Sequence, residues 1–512
     1  MKNRSRTEKA LLNTVCGFAD EIVTLICGLI LPRLILKAFG STYNGITSSI
    51  TQFISCISLM KAGIGGVTRV ALYKPLAEKN YHDISAVVVQ TERFMRRIAL
   101  IFIAFVFIFA AVYPLWISDD FSWLFTASLV IIISFSTFAQ YYFGLTYQMV
   151  LNADQRQSVT LLVNMAATIM NTVLSVVIIK LGAGIHAVKL GSAFVHVLGP
   201  VFLCVYTRHK YHIDKSVEVK TDLIKQRWDA VGHEAANFVN NNTDIIVLTM
   251  FTSLNTVSVY TVYHYVTVSI KKLVVNFITG FGAAFGNMYA KKEYELMRTN
   301  LGIYELIIFS LVSIVYPVVM VMITPFAMIY TSGVTDTNYY QPLFGIILAL
   351  AGAFSSYRIP YETIVKAVGH YRQTRNGAIA EACINIVSSV ILVIKFGLIG
   401  VAIGTLLAAI FRTFQYAIYL GKNVIERNIL HFIKHLVISV TINFVVYLGS
   451  NLYMVAIDNV WTWIFMAVIT ILISTVITAL TDVIFYLEDT KLLLKKLKGM
   501  FARKKGLRDG KI

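Results

Sequence analysis

The most constraining feature of this chain is that it repeats itself once, at an offset of about 216 residues. Tyr43 falls on Tyr260, Gly63 on Gly280, Gly65 on Gly282, Lys74 on Lys291 and Glu78 on Glu295, with no gap needed. Further along, Arg156-Gln157 falls on Arg372-Gln373, and Lys180-Leu181-Gly182 on Lys395-Phe396-Gly397. The best-matched blocks are "GIGGVTRVALYKPLAEK" (63–79) and "GFGAAFGNMYAKKEYEL" (280–296). Chance likeness between apolar stretches does not account for polar landmarks that keep register. Whatever the first copy folds into, the second must fold into something similar.

Each copy reads as a set of membrane helices. Apolar residues make up 57% of the chain and charged residues 14%, against roughly 25% charged in soluble domains. About fourteen mainly apolar segments are long enough to cross ~30 Å of hydrocarbon as helices. They span 12–36, 43–66, 95–117, 122–148, 158–180, 185–206, 231–253, 258–285, 302–330, 341–366, 376–395, 398–420, 431–450 and 461–486. None shows the alternating pattern of a transmembrane β-barrel. The expected fold is an all-α polytopic membrane protein with two parallel six-helix lobes and two further C-terminal helices. In such repeats the lobes are related by an axis along the membrane normal and flank a central path. The expected organisation is a first lobe over 1–206, a linker over 207–230, a second lobe over 231–420, two appended helices over 421–490 and a basic tail over 491–512. The basic start (1–10) precedes a segment too long for a signal peptide.

The formal net charge of +18 reads as an orientation signal. Lys and Arg concentrate in alternate loops, such as Arg69–Arg97, Arg208–Arg227 and Lys291–Arg298. The opposite loops hold little beyond Lys37, Lys180 and Lys395 at helix ends. Positive loops stay in the cytoplasm, so both termini are expected there, with an even number of spans. Nothing resembles a nucleic-acid-binding domain. The tail either lies on anionic membrane lipids or is disordered. The five cysteines (Cys16, Cys27, Cys56, Cys204 and Cys383) sit in apolar segments, without metal-ligand spacing.

Charges inside a bilayer cost ~2.5–3.5 kcal/mol or more each, so they face a cavity or one another. Lys271 and Lys272 fall near the middle of the span 258–285. Either they meet an anionic substrate, a phosphate above all, or they pair with Asp244 of the preceding span. Asp20, Glu21 and Glu381 lie at intermediate depth in their spans. They could bind a coupling H+ or Na+, or pair with Arg358 and Arg412. Arg358 is followed by Pro360 in "SSYRIPYETIVKA" (355–367), where proline frees helix carbonyls. Arg33, next to Pro32, sits near the outer end of the first span, whereas Lys61 is placed to snorkel from the second. Asn164, Asn171, Asn237, Asn240, Asn241, Asn242 and Asn385 either glue helices or contact sugar hydroxyls. His186 and His196 lack metal-ligand partners. No Walker A, GxSxG or HExxH sequence appears, so no cofactor and no enzyme activity is expected.

The chain resembles the Wzx-type polysaccharide-repeat-unit flippases of the multidrug/oligosaccharidyl-lipid/polysaccharide exporter superfamily. The likeness is carried by "GSTYNGITSSITQFISCISLMKAGIGGVTRVALYKPLAEKNYHDI" (40–84), "NNNTDIIVL" (240–248) and "RIPYETIVKAVGHYRQTRNGAIAEACINIVSSVILVIKFGLIGVAIGT" (358–405). It departs from the family at Lys61, where the resemblance leads one to expect an acid. The resemblance implies two lobes alternating between inward-open and outward-open states. It implies an undecaprenyl-diphosphate-linked oligosaccharide as cargo, moved from the inner to the outer leaflet, with polysaccharide-assembly proteins as partners. A lipid II-type flippase and an ion-coupled multidrug exporter are the alternatives within the superfamily. The excess of intramembrane lysine and arginine argues against a site for cationic drugs. A membrane glycan polymerase would need a large external loop or a clustered acid site, and neither is visible.

Overall fold

The computed structural model describes residues 6–61, 64–117, 120–217, 231–276 and 281–496. Among them the regular structure is helical throughout, with no strand. The first half runs through α1 (Arg6–Phe39), α2 (Ser41–Ser55), α3 (Ile64–Glu78), α4 (Tyr81–Trp116), α5 (Trp123–Ala139), α6 (Leu145–Ala153), α7 (Gln157–Lys180) and α8 (Ile185–Lys210). The second runs through α9 (Val231–Phe251), α10 (Leu254–Asn276), α11 (Phe281–Ala290), α12 (Tyr294–Tyr330), α13 (Pro342–Tyr357), α14 (Ile359–Ala367) and α15 (Tyr371–Asn423). Two more helices follow, α16 (Leu430–Gly449) and α17 (Val460–Phe485).

Helix lies within each of the fourteen apolar segments read from the sequence. Among the described residues, ten helices are long and apolar enough to cross a membrane, or eleven if the bent pair α2–α3 counts as one span. The difference from about fourteen has physical causes. Helix α15 covers two segments and changes direction at Gly397, whose φ of 52° and ψ of −126° are not helical. The described part of α9 that passes as apolar is short, Asn242–Phe251. Helix α10 is diluted by its lysines, histidine and hydroxyls. The outer surface is apolar, with Trp461 78%, Ile484 69% and Ile394 72% exposed. Large side chains left bare to that extent suit lipid rather than water.

The chain forms two compact units. The first comprises Met1–Ser258 with Gly333–Thr337, and the second Val259–Ser332 with Asn338–Ile512. In the first, one core gathers Ile46, Ile50, Phe102 and Tyr113, and another Leu72, Val88, Tyr147 and Leu203. Helix α9 belongs here: Thr249 donates to Ser49 at 2.9 Å and Asn242 bonds Gln52. The segment 333–337 caps α2 through Asp336, which accepts from the Ser41 amide and hydroxyl, both at 2.6 Å. Gly40 makes the α1–α2 corner at φ 93°, and a Cβ there would come within 2.7 Å of Asp336. The core of the second unit gathers Tyr304, Phe309, Tyr316, Tyr357 and Phe432. Helices α16 and α17 dock on α12 there: Ser439 of α16 shares a hydrogen bond with Ser313 at 2.5 Å, and on α17 Trp463 donates to the Met322 carbonyl and Ser474 to that of Ile314, both at 3.0 Å.

The repeat shows in the backbone as well as in the sequence. Left-handed residues occur at Lys79 and Lys292, Gln155 and Gly369, Gly182 and Gly397, and His212 and Glu426. The pairs are separated by about 214 residues, so the same corners are turned twice. The ungapped register of the matched blocks is not kept to its end: Lys74 and Glu78 lie in α3, whereas Lys291 follows α11 and Glu295 opens α12, because α11 is the shorter helix. The helix interruption within Gln140–Gly144 has its counterpart in the break between α13 and α14 at Arg358.

Candidate functional site

In the second unit, the break between α13 and α14 places Arg358 opposite the first arm of α15. Its Nη1 lies 2.6 Å from Glu381 Oε1, and its Nε 3.2 Å from Glu362 Oε2. Glu381 also reaches Arg412 Nε through its second oxygen at 3.3 Å, so one buried carboxylate bridges both arginines. Glu362 accepts from Lys366 at 2.6 Å. Arg412 is 2% exposed and is held further by Gln415 (2.7 Å), the Thr374 carbonyl (3.2 Å) and the Tyr416 hydroxyl (2.8 Å). Its guanidinium also lies 4.0 Å from the centre of the Tyr416 ring. Lys271, half-buried on α10, lies within the field of Arg358, Glu362, Glu381 and Lys366. The group holds four cations and two carboxylates, and no carboxylate pairs directly with Lys271 among the described residues. A positive excess in a low-dielectric setting attracts an anion.

The structure thus brings together Lys271, Arg358, Arg412 and Glu381. Lys272 points elsewhere on α10 and is exposed. Asp244 is buried on α9 and belongs to the first unit, whereas Lys271 belongs to the second. Arg33, Asp20 and Glu21 are half-buried along α1 of the first unit. Lys61 ends a 3-10 turn after α2, and its side chain lies outside the described residues. So do Gly63, Gly280, the side chains of Asn237, Asn240 and Asn241, most of the 207–230 linker and the tail beyond Lys496.

The first unit has a hollow where the second has charges. A cavity of about 340 Å³ is lined by Asp20, Gln148, Asn164 and His196 among others. A neighbouring one of about 360 Å³ shares Ser136, Thr137, Gln140 and His196 and adds Lys189. His196 is fixed by the Ser192 carbonyl at 2.8 Å, and His186 by Ser128 at 2.8 Å.

Sequence reasoning missed several of these groups. Glu362 and Lys366 follow Arg358 at i+4 and i+8, one helical face, and that spacing was a readable signal. Lys189, Ser192 and His196 share a face of α8 by the same rule. A twin motif had no local signal. In the first unit, buried Glu92 meets Arg96 (2.5 Å) and Arg208 (2.9 Å), and Arg208 donates to the Tyr147 hydroxyl at 2.5 Å. In the second, buried Glu305 pairs with Arg427 and accepts from the Tyr361 hydroxyl at 2.6 Å. Outside the spans, Asp154 accepts from Tyr211 (2.6 Å), Lys9 (3.1 Å) and Arg156 (2.8 Å), tying the start of α1 to the turn after α6. Burial pushes its carboxyl up, but these donors outweigh that and hold it below the usual carboxylate range.

No family model matches the chain, and no curated protein matches it. Solved structures do. An inward-facing conformation of a multidrug resistance MATE family transporter of the MOP superfamily gives a TM-score of 0.53 at 16% identity, covering 80% of this chain and 98% of the other. An outward-facing conformation of such a transporter also gives 0.53, at 14% identity, covering 85% and 96%. A MOP superfamily transporter from Pyrococcus furiosus, described by the reverse polarity of its binding pocket, gives 0.54 at 13% identity, covering 82% and 96%. At such identities the likeness is one of fold: the chain is a multi-pass membrane protein with the fold of the MOP-superfamily transporters.

Proposed function

We propose that this protein is a flippase that moves an undecaprenyl-diphosphate-linked oligosaccharide from the inner to the outer leaflet by alternating access. The observation that carries the reading is the positive excess around Lys271, Arg358, Lys366 and Arg412, which among the described residues only Glu362 and Glu381 offset. A diphosphate crossing a bilayer must have its charge compensated along the way, and fixed cations provide that where water cannot. Glu381 keeps the two arginines in place, and Lys271 is the cation left for the cargo. Asp20, Glu21 and Asp244 in the first unit are the acids available to a coupling H+ or Na+. Lys272 is a second cation for the diphosphate beside Lys271, and Arg33, near the outer end of the first span, marks the exit side. The protein works in a bacterial inner membrane with both termini in the cytoplasm, alongside polysaccharide-assembly proteins, as a transporter rather than an enzyme.

An ion-coupled multidrug exporter shares this fold equally well, but its cationic cargo would meet repulsion from the Lys271 group. A lipid II-type flippase shares the diphosphate and differs only in the glycan. The test is reconstitution of the full chain in proteoliposomes, with lipid-linked oligosaccharide loaded in one leaflet. Lys271→Gln should cut the flipping rate by about tenfold or more. Lys271→Arg should keep much of it, and Lys272→Gln should matter less than Lys271→Gln. Unchanged flipping by the Lys271→Gln/Lys272→Gln double variant, or export of a cationic dye in place of the lipid, overturns the proposal.

A further inference from the structure

The cavity of about 360 Å³ in the first unit lies between α2 with the 3-10 turn after it, the α5–α6 helix and α8. Its volume is within the range of small-molecule sites, roughly 300–1,000 Å³. Its lining is unusual for a membrane interior. Ser55, Ser136, Thr137, Gln140, Ser192 and His196 contribute to a polar wall, and among the described residues Lys189 is the only charge on it. No ion pair involves Lys189 among the described residues. An ammonium in a bilayer-spanning helix without a counter-charge is a functional candidate by default.

Local structure shows why the wall faces inward. Residues Gln140–Gly144 form a π turn between α5 and α6. Such turns insert one residue, shift the helix face and occur frequently at functional sites. Gly144 permits it: a Cβ there would come within 3.0 Å of Pro200 on α8. The shifted face lets Gln140 and Tyr141 both reach the cavity.

The hydrogen-bond inventory then selects the ligand. Thr51 donates to the Thr47 carbonyl (2.7 Å), Ser55 to that of Gln52 (2.6 Å) and Ser136 to that of Ile133 (3.3 Å). Their protons are committed, so these oxygens offer lone pairs. His196 holds the Ser192 carbonyl through Nδ1 at 2.8 Å, which leaves Nε2 as an acceptor in the neutral ring. Gln140 adds two amide donors and an acceptor, so acceptors and donors alternate around one cation. Such a wall suits a ligand with many hydroxyls, each donor and acceptor, and one negative charge. A diphosphate carries more charge than one ammonium balances, and the site offers no arginine fork for it.

We propose that this cavity is a subsite for an acidic sugar, a hexose ring carrying a carboxylate that pairs with Lys189. The assignment rests on the flippase reading for the source of the sugar, and it makes the glycan cargo an anionic one. The site is separate from the Lys271 group, which belongs to the other unit.

The test uses the full-length protein in detergent with three soluble probes. They are a glucuronate-containing disaccharide, its uncharged methyl ester, and glycerophosphoglycerol as a stand-in for an anionic lipid headgroup. Calorimetry should show saturable binding of the acid, with the ester and headgroup at least about tenfold weaker. Lys189→Gln should lower affinity for the acid by a similar factor and leave the weak ester binding unchanged, whereas Lys189→Arg should restore most of it. A gel-filtration profile and melting temperature matching the parent exclude misfolding of the Gln variant, and Lys189→Met serves if it fails that check. Equal binding of acid and ester, undiminished binding by both uncharged variants, or preference for the headgroup overturns the assignment. A protein that binds the acid through Lys189 but moves no lipid-linked oligosaccharide keeps this site and loses the flippase reading. One that flips the lipid yet fails to discriminate acid from ester loses only this site.

Discussion

The two units turn the same corners and then fill the same position in opposite ways. At an offset of about 214 residues, Gly144, Gln148 and Gly199 of the first unit fall on Arg358, Glu362 and Arg412 of the second. In the second unit these side chains meet in a salt-bridged group closed by Glu381. In the first, two glycines and an amide stand there, Gly144 against Pro200, and Gln148 and Gly199 line a cavity with Asp20 and His196. By contrast, the Glu–Tyr–Arg motif is kept in both units, as Glu92–Tyr147–Arg208 and Glu305–Tyr361–Arg427. The framework of a repeat is therefore maintained by buried charge pairs at one end. Its interior is free to diverge, one copy holding fixed charge and the other open space.

The largest expected effect breaks this contrast at its centre. Glu381→Gln leaves buried Arg412 without its carboxylate and half-buried Arg358 with Glu362 alone. Removing one partner of a buried pair costs about 3–5 kcal/mol, so a large drop in melting temperature is expected. Asn164→Ala, on the wall of the first unit's cavity, removes no charge and should cost less than about 1 kcal/mol. Equal losses would show that the two interiors are not differently built.

The twin motif should respond alike in both units. Tyr361→Phe removes a 2.6 Å hydrogen bond to Glu305, and Tyr147→Phe one of 2.5 Å from Arg208. Bonds to charged groups contribute about 1.5–3 kcal/mol, and the two losses should agree within a factor of two. A loss confined to one unit would mean that the resemblance between the motifs is only geometric.

Much of this framework was legible in the sequence because a bilayer leaves the backbone few choices. Long apolar runs must be helical, and Lys180-Leu181-Gly182 and Lys395-Phe396-Gly397 mark the same left-handed corner. The candidate cations were legible because charge inside an apolar span stands out. Their partnerships were less so. Glu381 could be named as a partner for Arg358 or Arg412, but not as a bridge to both. The twin motif joins Glu92 to Arg208 and Glu305 to Arg427, residues 116 and 122 apart. No periodicity encodes a contact at that range. The cavity beside Lys189 depends on a π turn and a glycine–proline approach, which also leave no simple pattern.

Asp154 separates the units in another way, as the anchor of α1 in the first. Its carboxyl lies below the usual carboxylate range when folded. The sign follows directly: the anchor is fully present above the unfolded carboxylate pKa and is lost as pH falls through the lower, folded value. Hydrogen exchange at the start of α1 should therefore accelerate only in strong acid. Asp154→Asn should exchange fast at neutral pH and show no such step. A step that persists in the variant would assign it to another group.

The smallest effects test the shared corners. Gly182 and Gly397 have φ of 74° and 52°, and nothing lies within 4 Å of where a Cβ would stand. Alanine there meets no neighbour, so its only penalty is the backbone: about 1–2 kcal/mol for a left-handed residue, and more at Gly397, whose ψ of −126° lies outside the left-handed helical well. Gly66 also has open space around a Cβ, but it sits within α3 with no positive φ. Alanine there should instead stabilise by about 0.5–1 kcal/mol, by restricting the unfolded chain and favouring helix. Melting temperatures of the three single variants should move down, down and up. If Gly397→Ala is neutral while Gly182→Ala is not, the break in α15 does not need its left-handed residue. The two corners would then share a position in the repeat without sharing a physical cause.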